Sequence, residues 1–137
     1  MATRQITAVG FTGTRQGLTA SQFFHLGVYL DVKRRFDFHH GDCIGADAQA
    51  HEMAVLYGHH VHVHPPTIGT ARAFCRGNVV YLPLPYRARN EAIVRACDVL
   101  LAAPHTREEE LRSGTWMTIR YARHCGKEVV MLWPEDA

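Results

Sequence analysis

Three short stretches of the chain gather residue types suited to holding an anion. In "GFTGTR", Gly10 and Gly13 let the backbone approach a phosphate, Thr12 and Thr14 offer hydroxyl donors, and Arg15 offers a forked cation. A plain turn in which Thr12 caps locally would use the same residues. "GDCIGADAQAH" combines Gly41 and Gly45, which allow a tight turn, with Asp47 in the first turn of a predicted helix. That carboxylate either caps the helix or accepts hydrogen bonds from ribose hydroxyls. "SGTW" presents Ser113, Gly114 and Thr115 at another helix start, and Trp116 either stacks on a base or packs against a sheet. Neither the G-x-G-x-x-G fingerprint nor the lysine of a P-loop is present.

Arg89 and Asn90 open a further predicted helix, where the helix dipole disfavours a cation. A ligand phosphate removes that conflict, and so does pairing with Glu91 or Asp98. The run Glu108, Glu109 and Glu110 lies in a stretch that reads as a solvated loop, with a catalytic carboxylate as the other reading. His60, His62 and His64 alternate on one strand face, with His59 just before them. Neighbours at strand spacing are too far apart to share one ion easily and need ligands from another element, so no metal site is expected there. His51 reads as a packing histidine.

These residues need elements to place them. "QITAVGF" (Gln5 to Phe11), "FDFHH" (Phe36 to His40), "HVHVH" (His60 to His64), "DVLLAA" (Asp98 to Ala103) and "KEVVMLW" (Lys127 to Trp133) read as strands. Between them run helical stretches: one from Thr19, whose spacing to Gln22 is that of a capping box, one from Gly45 that Gly58 terminates, one over Arg89 to Cys97, and one from Ser113 closed by Gly126. This alternation predicts an α/β fold: a small Rossmann-like three-layer sandwich whose mainly parallel sheet has about five strands. The segment from Pro65 to Tyr86 holds four prolines and two glycines, longer than an ordinary connection and typical of functional loops.

At 137 residues the chain fits one domain, taken as 1–137, and 47% hydrophobic with 20% charged residues fits a soluble globular protein. No apolar run reaches bilayer length and the N-terminus lacks a signal-peptide core, so the expectation is a cytoplasmic protein without a membrane partner. Cys43, Cys75, Cys97 and Cys125 form no C-x-x-C pair and read as reduced thiols. The formal charge of +2 is too small to require nucleic acid.

In order, "GFTGTR", "GDCIGADAQAH", "HPP", "RN", "CDVLLAAP" and "SGTWMTIRYARHCGK" resemble the SLOG superfamily, which includes DprA, the Lonely Guy enzymes and small stand-alone YspA/YpsA-like proteins. The likeness runs from Gly10 to about Trp133. It implies a Rossmann-like fold that binds a nucleotide, a nucleotide-derived signal or a nucleic-acid phosphate in a glycine-lined pocket, with no other cofactor expected, and a homodimer or higher homo-oligomer. Where Lonely Guy enzymes carry a glutamate in P-G-G-x-G-T-x-x-E, this chain has Thr118. Phosphoribohydrolase chemistry on a nucleoside 5'-monophosphate, the alternative activity, would therefore need Asp47 or one of Glu108 to Glu110 as its acid. DprA-like binding of single-stranded DNA is the remaining, less favoured, alternative.

Overall fold

Six strands line up in parallel in a computed structural model that describes residues 6–135. In chain order the elements are β1 (Ala8–Gly13), α1 (Ala20–Leu30), β2 (Asp37–His40), α2 (Ala46–Leu56), β3 (His60–Val63), a 3-10 turn (Gly69–Ala71), β4 (Val79–Val80), α3 (Tyr86–Ala96), β5 (Val99–Ala103), α4 (Gly114–His124) and β6 (Glu128–Met131). Their order across the sheet is β4-β3-β2-β1-β5-β6. Gln5, the first residue of the first predicted strand, lies outside the described residues.

The sheet has one strand more than the pattern predicts. β4 is only two residues long, inside the proline-rich segment, and exists because Val79 and Val80 pair with His62 and Val63 of β3. Gly77 and Asn78 set up that pairing. A Cβ on Gly77 would lie 2.6 Å from Val63, and the Asn78 side chain accepts the amide of Val61 at 2.7 Å.

Strand period sorts the core onto two faces. Val9, Phe11, Phe38, Val61, Val63, Val99 and Leu101 pack with Leu26 and Leu30 of α1 and with Met53 and Ala54 of α2. On the opposite face Leu100 meets Ile93 and Val94 of α3, while Ala102 meets Trp116 and Ile119 of α4. All five residues of β5 are buried, as expected for a central parallel strand covered on both sides.

Local signals place the helices. Thr19 and Gln22 form the reciprocal capping box of α1. Gln22 is fully buried, and its amide also donates to the carbonyls of Pro104 (2.8 Å) and Leu132 (3.0 Å), locking α1 to the ends of β5 and β6. Gly58 and Gly126 leave α2 and α4 with φ of 81° and 73°, the left-handed conformation of a helix stop. α3 starts at Tyr86, three residues earlier than expected, directly after Pro85 (φ −56°, ψ 151°) and without any side-chain cap. Arg89 and Asn90 consequently sit in its second turn and not at its entrance.

Candidate functional site

Strand order reverses direction between β1 and β5, since β1 leads outward to β2, β3 and β4 while β5 begins the other half. Ligands in open parallel sheets bind outside the strand carboxyl ends at such a point. There the structure has a cleft of about 480 Å³, within the usual size of small-molecule sites.

Its first wall is the β1–α1 loop. Thr14 continues β1 by donating its amide to Ala103 of β5 (3.1 Å), and its hydroxyl accepts the amide of Gln16 (3.2 Å). The exposed guanidinium of Arg15 lies 4.9 Å above the ring of Tyr86. The second wall is the entrance of α4. Ser113 caps it by accepting the amide of Trp116 (3.2 Å), leaving the first-turn amides of Gly114 and Thr115 without partners inside the helix. A Cβ on Gly114 would meet nothing within 4 Å, so this backbone is open to approach. His105 and Arg112 of the β5–α4 loop complete the rim.

The floor carries the charges. Arg89 is buried; its guanidinium donates to the carbonyls of Gly41 and His64 and to the side chain of Asn90 (2.8 Å), and lies 5.4 Å from the Tyr86 ring. Tyr86 thus sits between two arginines, one buried and one at the mouth. Gly41 separates Arg89 from Asp47: a Cβ there would lie 2.5 Å from Arg89 Nη1 and 3.0 Å from Asp47 Oδ2. Only glycine lets these two groups flank the same backbone.

Asp47 is 6% exposed, and its Oδ2 accepts the amide of Cys43 (3.2 Å) while Oδ1 has no partner. Burial raises its pKa from 3.8 to about 6, with the nearby Arg89 charge opposing the rise. An unsatisfied buried carboxylate oxygen in a cleft wall is costly, which marks it as a place for a donor from outside the protein.

Eleven of the expected residues line this cleft: Thr12, Gly13, Thr14, Arg15, Gly41, Asp47, Arg89, Asn90, Ser113, Gly114 and Thr115. Three do not. Gly10 faces α3, where a Cβ would lie 2.9 Å from Cys97 Sγ. Gly45, at φ 90°, is a hinge whose missing Cβ admits the Arg15 backbone, so that the Ala46 amide reaches the Thr14 carbonyl (3.0 Å). Trp116 is buried against Ala102, Ile119 and Trp133 (ring centroids 6.4 Å apart). Glu108, Glu109 and Glu110 do not line the cleft, and Thr118 spends its hydroxyl on the Gly114 carbonyl (2.8 Å).

The three helix entrances do not act alike. Gly114 and Thr115 of α4 line the cleft, the entrance of α1 at Thr19 and Ala20 lies outside it, and the first amide of α2 is taken by Thr14. Sequence reading missed Tyr86, His105, Arg112 and Met117. Tyr86 had a signal, the proline before it, whereas the others come from a loop and from the face of α4 next to Trp116.

No protein-family model and no curated protein matches this chain. Solved structures do. A molybdenum cofactor binding protein from Rippkaea orientalis superposes with a TM-score of 0.71 at 17% identity, over 94% of this chain and 77% of that one. DprA from Streptococcus pneumoniae gives 0.71 at 21% identity, over 91% of this chain but only 50% of its own. DprA from Helicobacter pylori, described for its single-stranded DNA binding mode, gives 0.68 at 19%, over 91% and 64%. The chain shares their Rossmann-like α/β fold. Within that fold, the cleft described above lies at the reversal of strand order. Among the described residues no helix is long and apolar enough to cross a membrane.

Proposed function

We propose that the cleft binds a nucleotide or nucleotide-derived ligand, such as a nucleoside phosphate or an ADP-ribose-like molecule. Its phosphate lies between Gly13, Thr14, Gly114 and Thr115, Arg15 and Arg89 neutralise its charge, and Asp47 and Asn90 receive its sugar hydroxyls. The observation that carries this reading is the meeting of two polarities in one cleft. The entrance of α4 and the exposed Arg15 and Arg112 line it, and Asp47 Oδ1, beside Arg89, is buried and short of a donor. A ligand that is anionic at one end and rich in hydroxyls at the other satisfies both. The SLOG fold, shared with a cofactor-binding protein and with DprA, is consistent with ligand or nucleic-acid binding.

Isothermal titration against nucleoside mono- and diphosphates and ADP-ribose tests the proposal. Arg15→Ala is the cleanest variant because Arg15 is exposed and contributes little to the fold. Loss of one charge-assisted contact is expected to weaken binding by about 10- to 100-fold with an unchanged melting temperature. Absence of heat for every ligand at millimolar concentration overturns the reading. Oligonucleotide affinity that falls steeply with salt would move it to DprA-like strand binding.

The same carboxylate favours a second reading, hydrolysis of the N-glycosidic bond of a nucleoside monophosphate. A buried acid titrating at about 6 can deliver a proton near neutral pH. Free base released by wild type and by Glu109→Ala, but not by Asp47→Ala, supports it; no release leaves binding alone. The homo-oligomer belongs to the proposal too. Phe23, Phe24, Val28 and Leu56 form an exposed apolar face on α1 and α2 that a second copy would cover, a state that sedimentation equilibrium reads directly.

A further inference from the structure

At the end of the sheet opposite the cleft, Asp37 and His60 begin β2 and β3 and stand as register partners across the parallel pair. His62, two residues along β3, shares their face. Three atoms of these side chains form a nearly equilateral triangle: His60 Nδ1 to His62 Nε2 is 3.1 Å, His60 Nδ1 to Asp37 Oδ1 is 3.4 Å, and His62 Nε2 to Asp37 Oδ1 is 3.3 Å. The imidazoles approach closer than strand spacing suggests because each turns a different ring nitrogen toward the other.

The geometry points to a zinc-type divalent cation site made of Asp37, His60 and His62. Bonds of 2.0–2.1 Å in a tetrahedron place neighbouring ligand atoms about 3.3 to 3.4 Å apart, close to the three edges observed. Hydrogen bonding alone accounts for the triangle poorly. Two ring nitrogens carry at most one proton each, so a proton can lie along no more than two of its three edges, and if both donate to Asp37 two N–H groups crowd one carboxylate oxygen from nitrogens only 3.1 Å apart. A cation takes all three lone pairs at once.

The surroundings hold the ligands in place. His62 Nδ1 is 2.9 Å from the Tyr81 hydroxyl, which occupies that nitrogen and leaves Nε2 for the ion. Its ring stacks on that of His39, with centroids 4.3 Å apart. Asp37 and His60 are about half exposed, with side chains 48% and 51% accessible, so the fourth position opens to water. The other cluster with suitable donors, His40, His51 and Cys75, is less suited. His40 Nδ1 already accepts the amide of Asp42, so in the neutral ring Nε2 carries the hydrogen and donates to His51 Nδ1.

Titration of chelator-stripped protein with Co²⁺, followed by displacement with Zn²⁺, tests the site. A single Co²⁺ per chain is expected, with the intense visible bands of tetrahedral coordination and no thiolate charge-transfer band. Asp37→Asn and His60→Ala, both at exposed positions, should each weaken binding by about 100-fold or more, and Tyr81→Phe by about 10- to 100-fold without changing stoichiometry. His51→Ala should leave binding intact. No cobalt bound, a thiolate band, or affinity unchanged in both Asp37→Asn and His60→Ala would overturn the proposal, and metal-free melting curves of the two variants confirm that they are folded.

Discussion

Arg89→Ala is expected to abolish ligand binding and to lower stability by about 3 to 5 kcal/mol, the usual loss when one partner of a buried charged network is removed. Its guanidinium contacts Gly41, His64 and Asn90 beneath the cleft, so truncation strands two carbonyls and leaves Asp47 without its compensating charge. Urea denaturation gives the stability change. A double variant with Asp47→Asn separates the causes, because removing the stranded carboxylate should recover at least about 1 kcal/mol if the two groups are coupled. Strict additivity would show that Arg89 matters only through its hydrogen bonds to the backbone.

Asp47→Asn should move stability the other way. Folding raises the pKa of Asp47 from 3.8 to about 6, so the folded state binds its proton more tightly than the unfolded chain does. The sign follows from linkage. Between about pH 4 and 6 the wild type loses stability as pH rises, and above 6 it carries the full cost of an ionised buried carboxylate, about 3 kcal/mol. Asparagine has no such charge. The variant should therefore be more stable than wild type by about 2 to 3 kcal/mol at pH 8 and match it at pH 4, while binding a hydroxyl-bearing ligand about tenfold more weakly. Equal stability of the two proteins at every pH would mean that Asp47 is not strained by burial. Such a trade, stability surrendered to keep a poised polar group, is typical of binding sites.

The elements that sequence alone discloses are those built from local chemistry. The capping box of Thr19 and Gln22, the left-handed stops at Gly58 and Gly126, and the uninterrupted apolar run of β5 each depend on residues within a few positions. β4 was not legible, because two valines become a strand only when β3 arrives beside them. The start of α3 is marked by Pro85 alone, with no capping side chain, and placing it at Arg89 turned a floor residue into an apparent entrance cation. Trp116 was legible after all: with Ile119 and Ala122 it repeats every three residues on the sheet-facing side of α4, which settles packing over stacking. Of the cleft, residue types pointed to the anion-facing wall, but not to Tyr86, which meets Arg15 only because the β1–α1 loop comes against the start of α3, while Arg89 follows one turn on in the same helix. The pairing of Asp47 with Arg89 across Gly41 is tertiary in the same way.

The central claim is that one cleft at the carboxyl ends of β1 and β5 receives the phosphate of the ligand. Amide chemical-shift mapping in solution, with a nucleoside monophosphate titrated into the labelled protein, tests it residue by residue. The largest changes are expected at Thr14, Arg15, Gly114 and Thr115, with smaller ones at Gly41 and Cys43. Changes confined to the opposite end of the sheet, around Asp37 and His60, or no changes at saturating nucleotide, would contradict it.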